Sequence, residues 1–129
     1  MAGRVLLDTS AAAALLRGDQ AVLQKIEASP EGFTSIVVLG ELLYGARLST
    51  NSASNVAQVA AFAAAIVVLP ADEQTADVYA GIKVALRTKG RPIPDNDLWI
   101  AATAIQHDVA LLNRDAHFDE VDDLARETW

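Results

Sequence analysis

The sequence predicts an α/β fold with a central, mainly parallel sheet. Short apolar runs rich in Val, Leu and Ile alternate along the chain with longer stretches of helical periodicity. No Pro/Gly/Ser-rich linker and no internal repeat divides it, and 129 residues suit one domain over 1–129, with no room for two.

Val5-Leu6-Leu7 is a short apolar run ended by Asp8, the pattern of a buried strand. Asp8-Thr9-Ser10 then offers cap residues for a helix over Ala11–Leu16, which stops near Gly18. Asp19 can cap a second helix carrying Val22, Leu23 and Ile26, ended by Ser29-Pro30-Glu31-Gly32. Phe33-Thr34 reads as a short strand. Ser35 can cap the next segment, where the run Ile36–Leu39 suits either strand or buried helix. Helix to about Leu48 is favoured, because Val38, Leu42 and Gly45 fall at i, i+4 and i+7. Ser49–Asn55 is polar and predicts a connection. The Ala-rich stretch Val56–Ala65 predicts a helix for core or dimer packing, and Ile66–Leu69, before Pro70, a β-branched strand. Asp72 caps an amphipathic helix with Val78, Tyr79, Ile82, Ala85 and Leu86 facing inward, closed by Gly90 and Pro92. Pro94 and Asn96 open another helix, apolar from Leu98 to Ile105. Ala110-Leu111-Leu112 is a further strand, and a last short one falls within Leu124–Glu127.

Composition narrows the chemistry. Hydrophobic residues are 52% of the chain, and although 25 of them are alanine, enough Leu, Val and Ile remain for a core. A disordered chain is thereby excluded. The absence of cysteine excludes disulfides, zinc–thiolate sites and cysteine nucleophiles. The longest unbroken apolar run, Val59–Leu69, is too short to span a bilayer. Met1-Ala2-Gly3-Arg4 leads into no secretory apolar segment before Asp8, so the expected location is the cytoplasm. Seventeen acidic against ten basic side chains give a formal charge of -7, which opposes broad electrostatic binding of nucleic acid.

In a parallel sheet the functional crevice lies beyond the carboxyl ends of the strands. Asp8 and Asp115 fall just past predicted strand ends. Glu41 interrupts an apolar helix between Gly40 and Gly45, and Asp97 precedes the apolar segment Leu98–Ala102. Buried carboxylates cost several kcal/mol each unless they are paired, hydrogen-bonded or metal-bound. The basic residues that could neutralise them cluster elsewhere in the chain, at Lys83, Arg87, Lys89 and Arg91. Carboxylates without cysteine or paired histidine suit Mg2+, or Mn2+ in its place, better than zinc. One or two such ions among carboxylates can activate water and stabilise an in-line phosphoryl displacement.

Four segments in order carry a family resemblance: Val5-Leu6-Leu7-Asp8-Thr9-Ser10, Gly40-Glu41-Leu42-Leu43-Tyr44-Gly45, Asp97-Leu98-Trp99-Ile100-Ala101-Ala102-Thr103-Ala104, and Arg114-Asp115-Ala116-His117-Phe118. Together they resemble the motifs of PIN-domain ribonucleases, and more narrowly the VapC toxins of bacterial type II toxin–antitoxin modules. The resemblance spans the whole chain. It implies a PIN-like three-layer α/β/α sandwich with Asp8, Glu41, Asp97 and Asp115 at the catalytic acid positions. Asp8 and Asp97 would hold a magnesium ion, with Glu41 and Asp115 completing the shell directly or through water. The implied activity is endoribonuclease cleavage of transfer, ribosomal or messenger RNA, which inhibits translation and growth. The implied assembly is a homodimer held inactive by a small cognate VapB-type antitoxin. Asn113 departs from the pattern, standing where the family commonly has Thr or Ser two residues before the last acid.

Other residues admit two readings. Asp95 either caps the same helix as Asp97 or leans towards the site, and Thr9 and Ser10 either cap a helix or hydrogen-bond the acids. The Lys83–Arg91 cluster is either a solvated helix end or an RNA-backbone contact. His107 and His117 are expected in surface or packing roles, and Asp119, Asp122 and Asp123 in a solvated tail. Two rival functions remain. A phosphorylation receiver module requires an acceptor Asp near residue 55 and a late Lys, and the chain has neither. A PIN-like module that binds RNA or a partner without cleaving is opposed by the four acids and kept open by Asn113.

Overall fold

Val5, Leu6 and Leu7 form the innermost strand of the molecule, at most 2% exposed. In the computed structural model, which describes residues 4–129, this strand β1 (Val5–Leu7) is hydrogen-bonded on both sides. On one side it pairs with β2 (Gly32–Ser35) and on the other with β4 (Ala110–Leu112). Beyond them lie β3 (Val67–Leu69) and β5 (Arg126–Glu127), in the order β3-β2-β1-β4-β5. Every pairing is parallel. Leu111 and Leu112 beside β1 have no exposed surface, so the centre of the sheet is apolar on both faces, as a doubly covered parallel sheet requires.

The helices are α1 (Thr9–Leu16), α2 (Gln20–Glu27), α3 (Ile36–Leu48), α4 (Ser52–Ala65), α5 (Glu73–Lys89) and α6 (Asp95–His107). Helices α1 to α4 connect strands running outward from β1 to β3, while α5 and α6 lead back across to β4. Right-handed crossovers put the first group on one face and the second on the other. Contacts agree: α1, α3 and α4 pack together, α5 packs on α6, and the two groups meet where α3 touches α6. The result is the expected three-layer sandwich.

Local signals explain the boundaries. Asp8, Asp19 and Ser35 each accept a backbone N–H from the first turn of the next helix. Asp72 and Thr75 form a reciprocal capping box on α5. Helix α5 ends at Gly90, whose φ of 71° is the left-handed turn that glycine adopts without cost. Helix α6 is fixed to α5 by the stacked rings of Tyr79 and Trp99, with centroids 4.1 Å apart, and by Gln106, which bonds both Asp72 and Thr75.

Several expectations need adjustment. The 49–55 connection is mostly helix, because α4 begins at Ser52 and Asn55 returns its side-chain amide to Ser49 Oγ at 2.8 Å. On α3 the third buried position is Ala46, with Gly45 exposed. On α5, Ala85 is exposed, and the inward face is carried by Thr75, Val78, Tyr79, Ile82 and Leu86. Asp119, Asp122 and Asp123 are exposed and β5 falls within the expected last strand, but Ala116–Glu120 is a 3-10 turn that the sequence pattern did not include.

Candidate metal centre

The chain runs from β1 outward to β3 and then returns to β4 on the opposite side of β1. This reversal opens a crevice between the carboxyl ends of β1 and β4. Asp8 follows β1 directly and Asp115 lies three residues after β4. Glu41 comes from the second turn of α3 and Asp97 from the first turn of α6. Three of these acids sit where helical N–H groups begin: Asp8 at the N-cap of α1, Asp97 in the first turn of α6, and Asp115 at the N-cap of the 3-10 turn. Helix N-termini carry partial positive charge, which makes the crevice a better host for anions than its acid count suggests.

Asp8 is 3% exposed. Its Oδ1 accepts from Ala11 N at 2.8 Å and from Ser10 Oγ at 2.7 Å. Thr9 Oγ1 donates to Glu41 Oε1 at 2.6 Å, tying α1 to α3. Both hydroxyls thus hold acids of the site. Burial pushes the Asp8 carboxyl above its ordinary value. The bonds from Ser10 and Ala11 oppose that shift, and the charges of Asp115 and Asp97 add to it. Burial is also the main cause that raises Asp97. The bond from His117 opposes it, while Asp115 and then Glu41 raise it further. Asp8 therefore feels the charges of Asp115 and Asp97, and Asp97 those of Asp115 and Glu41, although these acids come from four separate segments.

His117, expected to be a surface or packing residue, is exposed but also lies against two of these acids. Its Nδ1 is 2.8 Å from Asp97 Oδ2 and 3.2 Å from Asp115 Oδ1. One ligand atom from each of Asp97, Asp115 and His117 lies within 4.8 Å of the others. The bond to Asp97 raises the imidazole pKa; partial burial opposes the shift, and the charges of Asp115 and Asp97 reinforce it. The fold itself places His117 there. Asp115 caps the 3-10 turn by accepting from His117 N at 2.9 Å, which folds residue 117 back over residue 115. Buried Phe118 anchors the turn in the core.

The other candidates lie at varying distances from this cluster. Asp95 is exposed and faces α5, accepting from Lys83 Nζ at 3.0 Å and from Tyr79 Oη at 3.1 Å. Asn113 is buried beside β5, donating to Leu111 O at 3.1 Å and accepting from Arg126 Nη2 at 2.9 Å. It supports the strand that leads to Asp115. Of the basic cluster, Lys83 pairs with Asp95, and Lys89 donates to Glu120 O at 2.6 Å with Asp122 3.6 Å away. Arg87 and Arg91 are exposed. A groove of about 520 Å³ lined by Thr9, Val37, Gly40, Glu41, Tyr44 and Asn96 opens beside Glu41.

The donor set fits a hard divalent cation. Carboxylates raised by burial and by mutual repulsion are relieved when a cation joins them, and the oxygen-rich ligands suit Mg2+ or Mn2+. Thiolates are absent from the chain.

Comparison with known proteins agrees with this fold. The PIN domain family matches the chain over residues 5–124. Over 96 residues, 74% of this chain and 73% of the other, the sequence is 33% identical to the tRNA(fMet)-specific endonuclease VapC of Shigella flexneri. The fold superposes on DNA-bound VapBC from Salmonella typhimurium with a TM-score of 0.91 over 98% of each chain, at 26% identity. It also superposes on VapBC-5 of Mycobacterium tuberculosis, a member of the VapBC family of toxin–antitoxin systems, with a TM-score of 0.77 at 29% identity over 98% of this chain and 97% of that one. The strand-end acids, the parallel sheet and these likenesses converge: the chain belongs to the PIN-domain family and groups with its VapC members.

Proposed function

We propose that this chain is a metal-dependent endoribonuclease that acts as the toxin of a toxin–antitoxin pair. The observation that carries the reading is the convergence of Asp8, Glu41, Asp97 and Asp115 on the crevice between β1 and β4. A divalent ion bound there, Mg2+ or Mn2+, would supply Lewis-acid activation of water and neutralise charge on the phosphodiester. Asp8 and Asp97 are the principal ligands, and Glu41 and Asp115 complete the shell directly or through water. Ser10 and Ala11 N–H hold Asp8 in one orientation, and Thr9 does the same for Glu41. The amino ends of α1 and α6 favour a phosphate near the acids. No nucleophile from the chain is required, because water attacks phosphorus and the ribose oxygen leaves.

The substrate is a transfer, ribosomal or messenger RNA, whose cleavage inhibits translation and growth. Its backbone runs past Arg87 and Arg91, with Lys83 and Lys89 exchanging their carboxylate partners for phosphates. The chain works in the cytoplasm as a homodimer, and a cognate VapB-type antitoxin silences it within a larger assembly. Among the described residues no helix is long and apolar enough to cross a membrane. The test is to sequence RNA ends after brief induction of the wild type and of Asp97→Ala. New ends at defined positions in the wild type alone support the reading. The same ends in both strains, or none in either, overturn it.

A further inference from the structure

Resting on the metal-site reading above, we infer that His117 Nδ1 is itself a ligand of the ion and makes the site prefer Mn2+ to Mg2+. Ligands about 2.1 Å from an ion in an octahedral shell are about 3.0 Å from their nearest neighbours. His117 Nδ1 stands 2.8 Å from one oxygen of Asp97 and 3.2 Å from one oxygen of Asp115, so the nitrogen already has shared-shell spacing to each carboxylate, and the two carboxylates offer ligand atoms within 4.8 Å of each other. The ring's position is built into the fold. On one side of residue 117, Asp115 takes its backbone N–H at 2.9 Å; on the other, Phe118 is 1% exposed in the core.

A nitrogen donor changes which ion is held best. Magnesium keeps an oxygen shell and is reluctant to exchange water for other donors. Sites with nitrogen and oxygen ligands bind first-row transition ions, with affinity rising along that series from manganese. An imidazole between two carboxylates therefore favours Mn2+ over Mg2+, whereas an all-carboxylate site discriminates less.

The experiment titrates Mn2+ and Mg2+ separately into the full chain by calorimetry, using the wild type, His117→Ala and His117→Asn. Pulsed EPR of the Mn2+-loaded wild type supplies a readout that needs no variant. The expected wild-type result is tighter Mn2+ than Mg2+ binding and a nitrogen hyperfine coupling on bound Mn2+. Both substitutions are expected to remove that coupling and weaken Mn2+ binding at least about 10-fold, with a smaller effect on Mg2+. If His117 were only a hydrogen-bond partner that an arriving ion displaces, its removal would tighten both ions, and the wild-type spectrum would lack the coupling. Either result overturns the inference, as does a wild type that binds neither ion. The broader reading is tested separately: if Asp97→Asn still abolishes ion binding while His117→Ala does not weaken it, the carboxylate site stands and His117 is outside it.

Discussion

Asp97→Asn separates the two demands placed on this residue, charge for an ion and fit in the fold. Ligand atoms of Asp97 and Asp115 lie within 4.8 Å of each other. Two unit charges at that separation repel by about 1 kcal/mol in water and about 3.5 kcal/mol at an effective dielectric of 20. The 39% exposure of the Asp115 side chain draws the value towards the lower figure. Removing the Asp97 charge therefore relieves about 1–2 kcal/mol of repulsion in the metal-free protein. The amide oxygen of Asn still accepts a bond from His117, so the packing is kept. Metal-free Asp97→Asn is expected to melt no lower than the wild type, and up to about 3–8 °C higher for a chain of this size. Saturating Mn2+ reverses the order. An ion at about 100 times its dissociation constant adds about 2.7 kcal/mol to the wild type, and much less to a variant lacking one ligand charge. The assay is thermal melting with EDTA and with Mn2+. A variant several kcal/mol less stable without metal, or an equal lift by the ion in both proteins, would contradict this assignment of Asp97.

Asp8 distinguishes cap from ligand. Asp8→Asn keeps the helix cap and is expected to lose RNA cleavage with little loss of stability; Asp8→Ala loses the cleavage and about 1 kcal/mol of stability as well, read by urea denaturation. The stabilisation by Mn2+ is expected to grow from mildly acidic to neutral pH. Asp8 and Asp97 have raised carboxyl values, so the metal-free folded state holds protons more tightly than the unfolded chain. It loses stability as pH rises through those values, above the ordinary 3.8, and a bound ion repays the loss. A lift that stays constant from pH 4 to 7, followed by melting, would contradict this. Asp95→Ala is expected to reduce cleavage far less than Asp97→Ala in a steady-state assay, because Asp95 faces Lys83 and Tyr79 instead of the acid cluster.

The alternation of apolar runs and helical stretches made the sheet legible because each strand is short, apolar and followed by a capping residue. Asp8 illustrates the reason: one side chain ends the strand, caps the helix and enters the site, so a local signal coincides with a functional one. Glu41 and Asp97 were legible as charges interrupting apolar surroundings. His117 was hidden because the residues around it, Asn113-Arg114-Asp115 and Asp119-Glu120, look like a solvated loop. Only the cap at Asp115 and the burial of Phe118 turn the ring towards Asp97, twenty residues earlier in the chain. The basic cluster shows a similar limit. Lys83 and Lys89 form a run in sequence, but their partners Asp95, Glu120 and Asp122 are brought to them by the packing of α5 against α6 and the 3-10 turn. Net charge was the least informative quantity, because four of the seventeen acids are the proposed ligands of a cation that would change the local sign.

Metal-dependent catalysis is checked most simply by cleavage of a defined RNA by the purified chain, with the products resolved on a denaturing gel. Wild type with Mn2+ or Mg2+ is predicted to cut at discrete positions, and both EDTA and Asp97→Asn are predicted to abolish the cuts. Cleavage that survives EDTA, or that persists at the same positions in Asp97→Asn, would contradict a nuclease built on these carboxylates.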